Sequence, residues 1–451
     1  MATGQWKRAA AWGALGVALV VTGGLAWLSV APPDLLRVGT AYAAKIVCSN
    51  VNVAGRDAEE VMAVDVQAPG HPLLKLVHAR VDPKTGATRV AFPFGIAAST
   101  AAPRGELGCA SVDRPDRGGA PTIPPIEPSA LPVAIDPRVQ ALVDDDALLG
   151  EGFRAVLVLH EGRIVAERYA EGFDATTPLI GWSMTKTVTA ALIGTAIERG
   201  LLELDDAALF DAWADDPRAA ITVADVMAME SGLAWDEGYG GVSDVTRMLF
   251  LERDGAGFVA SRAGTAGPGE RWTYSTGASV LLARVLAGAV GGGAEALLYP
   301  YRALLAPLGM AGAVFESDAS GTPSGGSFVY APARDWARFA RFLLDDGVAP
   351  NGERLLPEGY VDYMMAPTAL SDGDYARGSM WRRGPFGYDR SDRSAEADLP
   401  EDAAWMLGHD GQSIALVPSL DLAVLRLGLT PVWANYRPQN LLRETVRTLG
   451  E

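Results

Sequence analysis

The hydrophobic pattern divides the chain before any motif is considered. Residues 9–31, AAAWGALGVALVVTGGLAWLSVA, run for 23 positions without a charge. As an α-helix rising about 1.5 Å per residue, that length spans the roughly 30 Å hydrocarbon core of a bilayer. Lys7 and Arg8 precede the run, and Trp6 and Trp27 lie near its ends, where indoles favour the interface. The pattern predicts an uncleaved transmembrane anchor within residues 1–44, N-terminus inside, with Arg37 and Lys45 beyond it weakening the charge bias. A signal peptide cleaved at Ala41-Tyr42-Ala43 is the alternative. The run exceeds a usual signal core, however, and Pro32-Pro33 comes well before that site. Either reading exports the chain beyond residue 45.

Shorter periods take over downstream. VMAVDVQ, LLKLVHARV and ATRVAFPFG read as short strands, so residues 45–110 form a small β-containing module. Residues 111–136 are proline-rich and aperiodic, the mark of an extended linker and a domain boundary. About 310 residues remain from 137 to 451, enough for one large domain. It opens with FRAVLVLH and RIVAERYAEG around Glu161-Gly162, a hairpin. It closes with QSIALVP and LAVLRLG around a PSLD turn, then a helical tail at NLLRETVRTLG. Helical patterns fill the middle: TKTVTAALIGTAIERG, SDVTRMLFLERDG, STGASVLLARVLAGAV and ARDWARFARFLLDDG. The expected class is α+β: an antiparallel sheet whose edge strands come from the two termini, flanked by helices, with a mostly helical subdomain.

Composition narrows the function. Fifty-five acidic against 38 basic side chains give a net charge of −17, and no basic stripe interrupts it, which argues against nucleic acid as a partner. Two cysteines exclude a Cys-rich metal site, and His71, His78, His160 and His409 are too dispersed for a local metal motif. Neither a metal nor a cofactor is expected. Cys48 and Cys109 are expected to pair in an oxidising compartment; two buried free thiols are the alternative.

The candidate chemistry starts at Gly181-Trp182-Ser183-Met184-Thr185-Lys186, which leads into an apolar helix ended by Gly200. Ser183 and Lys186, three apart, share one helix face. Unpaired N–H groups at a helix start stabilise negative charge on the serine oxygen. A buried lysine loses solvation, so its pKa falls and it can take the serine proton. S-x-x-K alone is a weak pattern, and a solvated helix lysine is the bland reading. Lys186, though, is the only lysine between residues 85 and 451, where every other permanent cation is arginine. Only lysine of the two can lose its proton at accessible pH.

Two further stretches matter in combination. Pro268–Gly277, PGERWTYSTG, places Tyr274 on a loop before a helix; packed near Ser183 and Lys186, its phenol would be ionised by the ammonium and act as a general base. With 12 tyrosines in the chain, this carries little weight alone. Gly408-His409-Asp410-Gly411-Gln412 enters a strand, and the N–H after the glycine can join that of Ser183 as an oxyanion hole. Histidine beside aspartate is otherwise an ordinary surface pair.

In this order and spacing the three elements resemble the serine β-lactamase and penicillin-binding-protein superfamily, whose signatures include S-x-x-K and K-T-G. The resemblance is strongest to the class C-like branch of serine hydrolases, including 6-aminohexanoate-dimer hydrolases and related esterases. Ile221–Trp235, Pro307–Met310 and Tyr330–Phe339 support it, and it covers roughly residues 137–451. The resemblance implies Ser183 as nucleophile, Lys186 as its proton partner and Tyr274 as base. It also implies the N–H groups of Ser183 and Gln412 as oxyanion hole, with Gly411, His409 and Thr276 lining the substrate. The chain departs from the pattern twice. Thr276 stands where the tyrosine motif usually ends in asparagine, and His409-Asp410-Gly411 replaces K-T-G, removing a permanent cation.

The expectation is therefore an exported, membrane-anchored serine hydrolase that cleaves a small-molecule or peptide-like ester or amide through an acyl-enzyme. Its catalytic domain would lie outside the cytoplasm. A D-alanyl-D-alanine carboxypeptidase or class C-like β-lactamase is the alternative. A non-catalytic receptor for cell-wall peptides is the alternative from another class. Specificity is expected in the loops Trp235–Gly240 and Tyr375–Arg393.

Overall fold

Continuous apolar runs at both ends of the large domain lay down its central sheet. In the computed structural model, residues 11–16, 22–24, 26–111, 120–385 and 394–451 are described. Seven strands form the sheet: β5 (Phe153–His160), β6 (Arg163–Tyr169), β10 (Tyr375–Ala376), β11 (Met380–Trp381), β12 (Ala404–Gly408), β13 (Gln412–Val417) and β14 (Leu422–Gly428). Their order is β10-β11-β12-β13-β14-β5-β6, with every pair antiparallel. The α+β class holds, but only one edge comes from a terminal hairpin, β6, and the other is β10. In the interior β14 pairs with β5, Val424 opposite Val158. The reason is visible in the strands: β14 is buried at all seven positions and β5 at six of eight. A strand buried on both faces belongs inside a sheet covered on both sides.

Six helices cover or flank the sheets: α1 (Asp34–Ala54), α2 (Pro137–Val143), α3 (Thr185–Glu198), α4 (Thr276–Ala289), α5 (Ala333–Leu344) and α6 (Pro438–Gly450). On one face Leu157, Leu159 and Leu425 join Val188 and Ile193 of α3 and Phe339 of α5 in one core. On the other, Val156, Val158 and Val424 pack with Val139 of α2 and Leu441 and Leu442 of α6. A second sheet of three short strands, β7 (Leu179–Ile180), β9 (Val329–Ala331) and β8 (Val314–Phe315), leads into α3.

The N-terminal module differs from its expected form. It begins at Asp34, in α1, and that helix packs on a four-stranded antiparallel sheet, β1 (His78–Val81), β2 (Thr88–Ala91), β3 (Ser99–Pro103) and β4 (Cys109–Ser111). Cys48 and Cys109 are disulfide-bonded between α1 and β4. Among the described residues there is no free cysteine. VMAVDVQ is not a strand: Met62–Gln67 is a π-helical turn. Its alternation misleads because Asp65 points inward, to Arg56 at 2.7 Å and to Arg154 of β5 at 2.7 Å.

A second buried pair also joins the module to the catalytic unit. The Lys45 ammonium contacts the Glu316 carboxylate just after β8, with side chains 3% and 0% exposed. Glu316 accepts further hydrogen bonds from Ser49 Oγ at 2.8 Å and the Cys109 N–H at 2.6 Å. Burial of two charges is tolerable here because the carboxylate has several donors. The proline-rich stretch is not a free spacer either. Ser129 is held by Leu308 and Arg338, and residues 132–136 run along the outer edge of β6, where Ile164 donates to Pro132 and Ala134 donates back to Ile164. This part thereby covers an edge that would otherwise offer unpaired backbone groups.

The expected anchor at 9–31 lies partly outside the described residues. Among the described residues no single helix is long and apolar enough to cross a membrane.

Removing the Glu316 carboxylate leaves a buried ammonium without its counterion. Glu316→Ala is expected to lower unfolding free energy by about 3–5 kcal/mol in urea titrations of the full chain. A loss below about 1 kcal/mol would show that the pair does not hold the two units together.

Candidate active site

The turn between β7 and α3 sets the geometry. Trp182 sits at φ +46°, a left-handed conformation that bulky residues rarely adopt. This sharp reversal puts Ser183 in a 3-10 turn directly ahead of α3. Gly181 donates its N–H to Val329 O at 2.8 Å, fixing the turn to β9. On the other side the turn abuts the end of β12: a Cβ on Gly408 would lie 2.3 Å from Gly181 O. Only glycine permits that approach, and it brings the His409–Gln412 segment alongside Ser183.

Lys186 is 1% exposed, at the start of α3. Its Nζ lies 2.7 Å from Ser183 Oγ, 2.9 Å from Thr276 Oγ1 and 3.0 Å from Gly326 O. Desolvation lowers its pKa to about 8, opposed by the nearby Glu237 carboxylate. The neighbours determine how the amine is oriented. Thr276 gives its hydroxyl proton to Glu237 and its N–H to the same carboxylate at 2.8 Å, so towards Lys186 it can only accept. Gly326 O can only accept as well. A neutral amine with two N–H groups directed to Thr276 and Gly326 is left with its lone pair facing Ser183.

Thr276 is thus placed behind the amine, fully buried, and not along the substrate as the resemblance implied. Two residues in this arrangement went unnoticed in the sequence. Glu237 lies in the Trp235–Gly240 loop, where it also accepts from Trp235 Nε1 at 2.6 Å and Tyr239 OH at 3.1 Å. Gly326 needs its missing side chain, because a Cβ would lie 2.6 Å from Thr276 Cγ2. Neither stands in a motif, so the only signal was the loop itself.

Tyr274 is brought to the same place. The Lys186 Nζ is 5.0 Å from its ring centroid, and the ring packs against Tyr375 and Trp381. Its phenol is pushed well above the usual tyrosine value by burial and by Glu237, with contact to Ser183 only partly opposing this. Against the expectation of an ionised phenol, burial and Glu237 favour the protonated form of Tyr274, while desolvation loosens the proton on Lys186.

His409 is 43% exposed at its side chain and lies between Trp182, edge-on at 5.7 Å, and Tyr239, tilted at 4.9 Å. Its Nε2 is 3.5 Å from Asp410 Oδ1. Asp410 and Gly411 turn the chain through φ +56° and +84°. Gln412 begins β13 opposite Gly408, and its buried side chain holds the turn closed: Nε2 donates to Gly428 O at 2.6 Å and to His409 O at 3.0 Å, and Oε1 accepts from Gly428 N at 2.8 Å. Of the segment Tyr375–Arg393, residues 386–393 lie outside the described part. Among the described residues no cluster of His, Cys, Asp and Glu could hold a metal ion.

The family model described as Beta-lactamase matches residues 140–440. The chain belongs to the β-lactamase family. It shares 26% identity over 338 residues with the 6-aminohexanoate-dimer hydrolase of Paenarthrobacter ureafaciens, covering 68% of this chain and 80% of that protein. Among solved structures, a penicillin-binding-protein homologue from Caulobacter crescentus superposes with TM-score 0.54 at 14% identity, over 70% of this chain and 98% of that one. EstCE1, a hydrolase with promiscuous acyltransferase activity, gives TM-score 0.52 at 17% identity, over 68% and 97%. The β-lactamase-family unit excludes the N-terminal module, which the match does not reach. The chain is a serine hydrolase of this family.

Of the chain's five lysines, Lys186 should titrate near pH 8 in NMR of protein labelled at lysine ¹³Cε, with Lys186→Met assigning the resonance. Glu237 raises this pKa, so Glu237→Gln should move the midpoint to lower pH, by about a unit for a nearby opposite charge. A midpoint that stays or rises contradicts the assigned electrostatics.

Proposed function

We propose that the protein hydrolyses an ester or amide through an acyl-enzyme on Ser183. The carrying observation is the 2.7 Å contact between Ser183 Oγ and a buried lysine amine whose remaining hydrogens have other acceptors. Neutral Lys186 takes the Ser183 proton as Oγ attacks the carbonyl carbon. Negative charge developing on the carbonyl oxygen is met by the N–H groups of Ser183 and Gln412. The C–O or C–N bond then breaks, and the leaving group receives a proton through the neutral Tyr274 hydroxyl, which regains one from Lys186. Water repeats the sequence on the acyl-enzyme, regenerating Ser183.

Substrate preference comes from charge. Glu237 and Asp410 are both acidic, and His409 stands where the resemblance expects a permanent cation. A carboxylate-bearing substrate loses a charge-assisted contact, a factor of ten or more. The relative named 6-aminohexanoate-dimer hydrolase supports an amide or ester as the bond cleaved. This favours an esterase or amidase over a β-lactamase or carboxypeptidase, and the Ser183–Lys186 contact weighs against a non-catalytic receptor.

The same reading places the enzyme at a membrane, anchored by residues 9–31, with the catalytic unit outside the cytoplasm. The charge-free run and the Cys48–Cys109 disulfide support it. A periplasmic reporter fused after residue 451 should be active; activity only of a cytoplasmic reporter contradicts the topology.

For the chemistry, Ser183→Ala should abolish turnover of p-nitrophenyl butyrate, and Lys186→Arg, which keeps the charge but not the proton chemistry, should cost at least about 10²–10⁴-fold in kcat. In the wild type, kcat/KM should rise with pH through about 8, because the active form is the deprotonated amine. It should also be larger for p-nitrophenyl butyrate than for nitrocefin. Faster nitrocefin turnover would convert the assignment to a β-lactamase.

A further inference from the structure

Beside the Ser183 turn lies a cavity of about 320 Å³, within the size range of small-molecule sites. One wall comes from neighbours of the candidate site, Trp182, Tyr239 and His409, without Ser183, Lys186 or Tyr274 themselves. The facing wall belongs to the N-terminal module, with Val38 and Tyr42 of α1, Leu73 and Phe92. The module wall lies outside the region shared with the β-lactamase family. The lining is predominantly apolar, with Asp410 and His409 at its catalytic end. Val432 and Trp433, 65% and 61% exposed, also line the cavity.

We propose that this groove binds an apolar chain of the substrate, so that the N-terminal module acts as a specificity element for long-chain esters or amides. The inference rests on the hydrolase reading above. Its argument is continuity: Trp182, next to Ser183 in the chain, packs on His409, His409 packs on Tyr239, and the Tyr239 hydroxyl donates to Glu237 behind Lys186, so the groove adjoins the site through these side chains. An uncharged chain gains from leaving water for such walls, while an anionic one meets Asp410. The chain is carried by the acyl group or by the leaving alcohol or amine, and these two sources are separable by experiment.

Two ester series test it, each kept below its critical micelle concentration: p-nitrophenyl esters from acetate to dodecanoate, and acetates of alcohols from ethanol to dodecanol. In one series kcat/KM should rise with length, by up to about fourfold per methylene that is fully buried. Gly241 lines the groove, and a side chain added there meets nothing within 4 Å, so Gly241→Phe should fill the groove without disturbing the fold. It should lower the long-to-short ratio of kcat/KM at least tenfold, and Val432→Asp should lower it in the same direction. A flat length dependence in both series, or a ratio unmoved by both variants, overturns the proposal. Binding of a fluorescent undecanoyl probe to Ser183→Ala, competed by dodecanol and weakened by Gly241→Phe, reads the groove without catalysis. If no ester turns over yet the probe binds, the hydrolase reading fails and the groove stands; if esters turn over and the probe does not bind, the groove fails and the hydrolase reading stands.

Discussion

A tryptophan in a left-handed backbone conformation costs on the order of 1–2 kcal/mol and does not persist unless its surroundings hold it. Trp182 is held from two sides. Its indole packs 5.8 Å from the Phe328 ring and sits in the same buried cluster as Val38, Val47 and Phe92 of the N-terminal module. Its other neighbour is His409. The residue that aims the serine is therefore a core residue of a unit that the family match does not include. The module and the catalytic turn are one packing problem, and the two buried charge clusters at Glu316 and Asp65 keep them in register.

The chain buries two lysines beside carboxylates, with different results. Lys45 touches Glu316 directly, within a cluster that also takes a serine hydroxyl and a backbone N–H. Lys186 is separated from Glu237 by the hydroxyl of Thr276. The interposed hydroxyl, which donates to Glu237, accepts from Lys186 and so orients the amine, whereas Lys45 donates straight to its carboxylate. Structural and reactive lysines thus differ here by one intervening oxygen.

Much of this was legible in the sequence. The Ser183–Lys186 spacing, the arginine bias around a solitary lysine and the glycines at both turns carry the reacting pair, and the hairpins carry the antiparallel sheet. What escaped reading depends on partners far away. Met62–Gln67 alternates like a strand, but Asp65 is an inward residue because Arg154, 89 positions on, reaches it. The terminal strands looked like edges because nothing local says that β14 lies against β5. The prolines at 111–136 suggested a tether, but Pro132 and the residues up to Asp136 run beside β6. Thr276 looked like a substituted substrate ligand until Glu237, 39 residues earlier, took its proton.

The long reach of these contacts has a consequence for biogenesis. Cys48 and Cys109 are 61 residues apart, whereas Lys45 and Glu316 are 271 apart, and Phe250 and Phe328 complete the module's core. A ribosome adds about 5–20 residues per second, so on the order of ten seconds or more separate the emergence of Cys109 from that of Glu316. During that interval α1 and its sheet, whether or not their disulfide has formed, lack the apolar partners that cover them. The nascent chain carries an uncovered hydrophobic face and an unpaired lysine, a state in which chaperone capture or misassociation competes with folding.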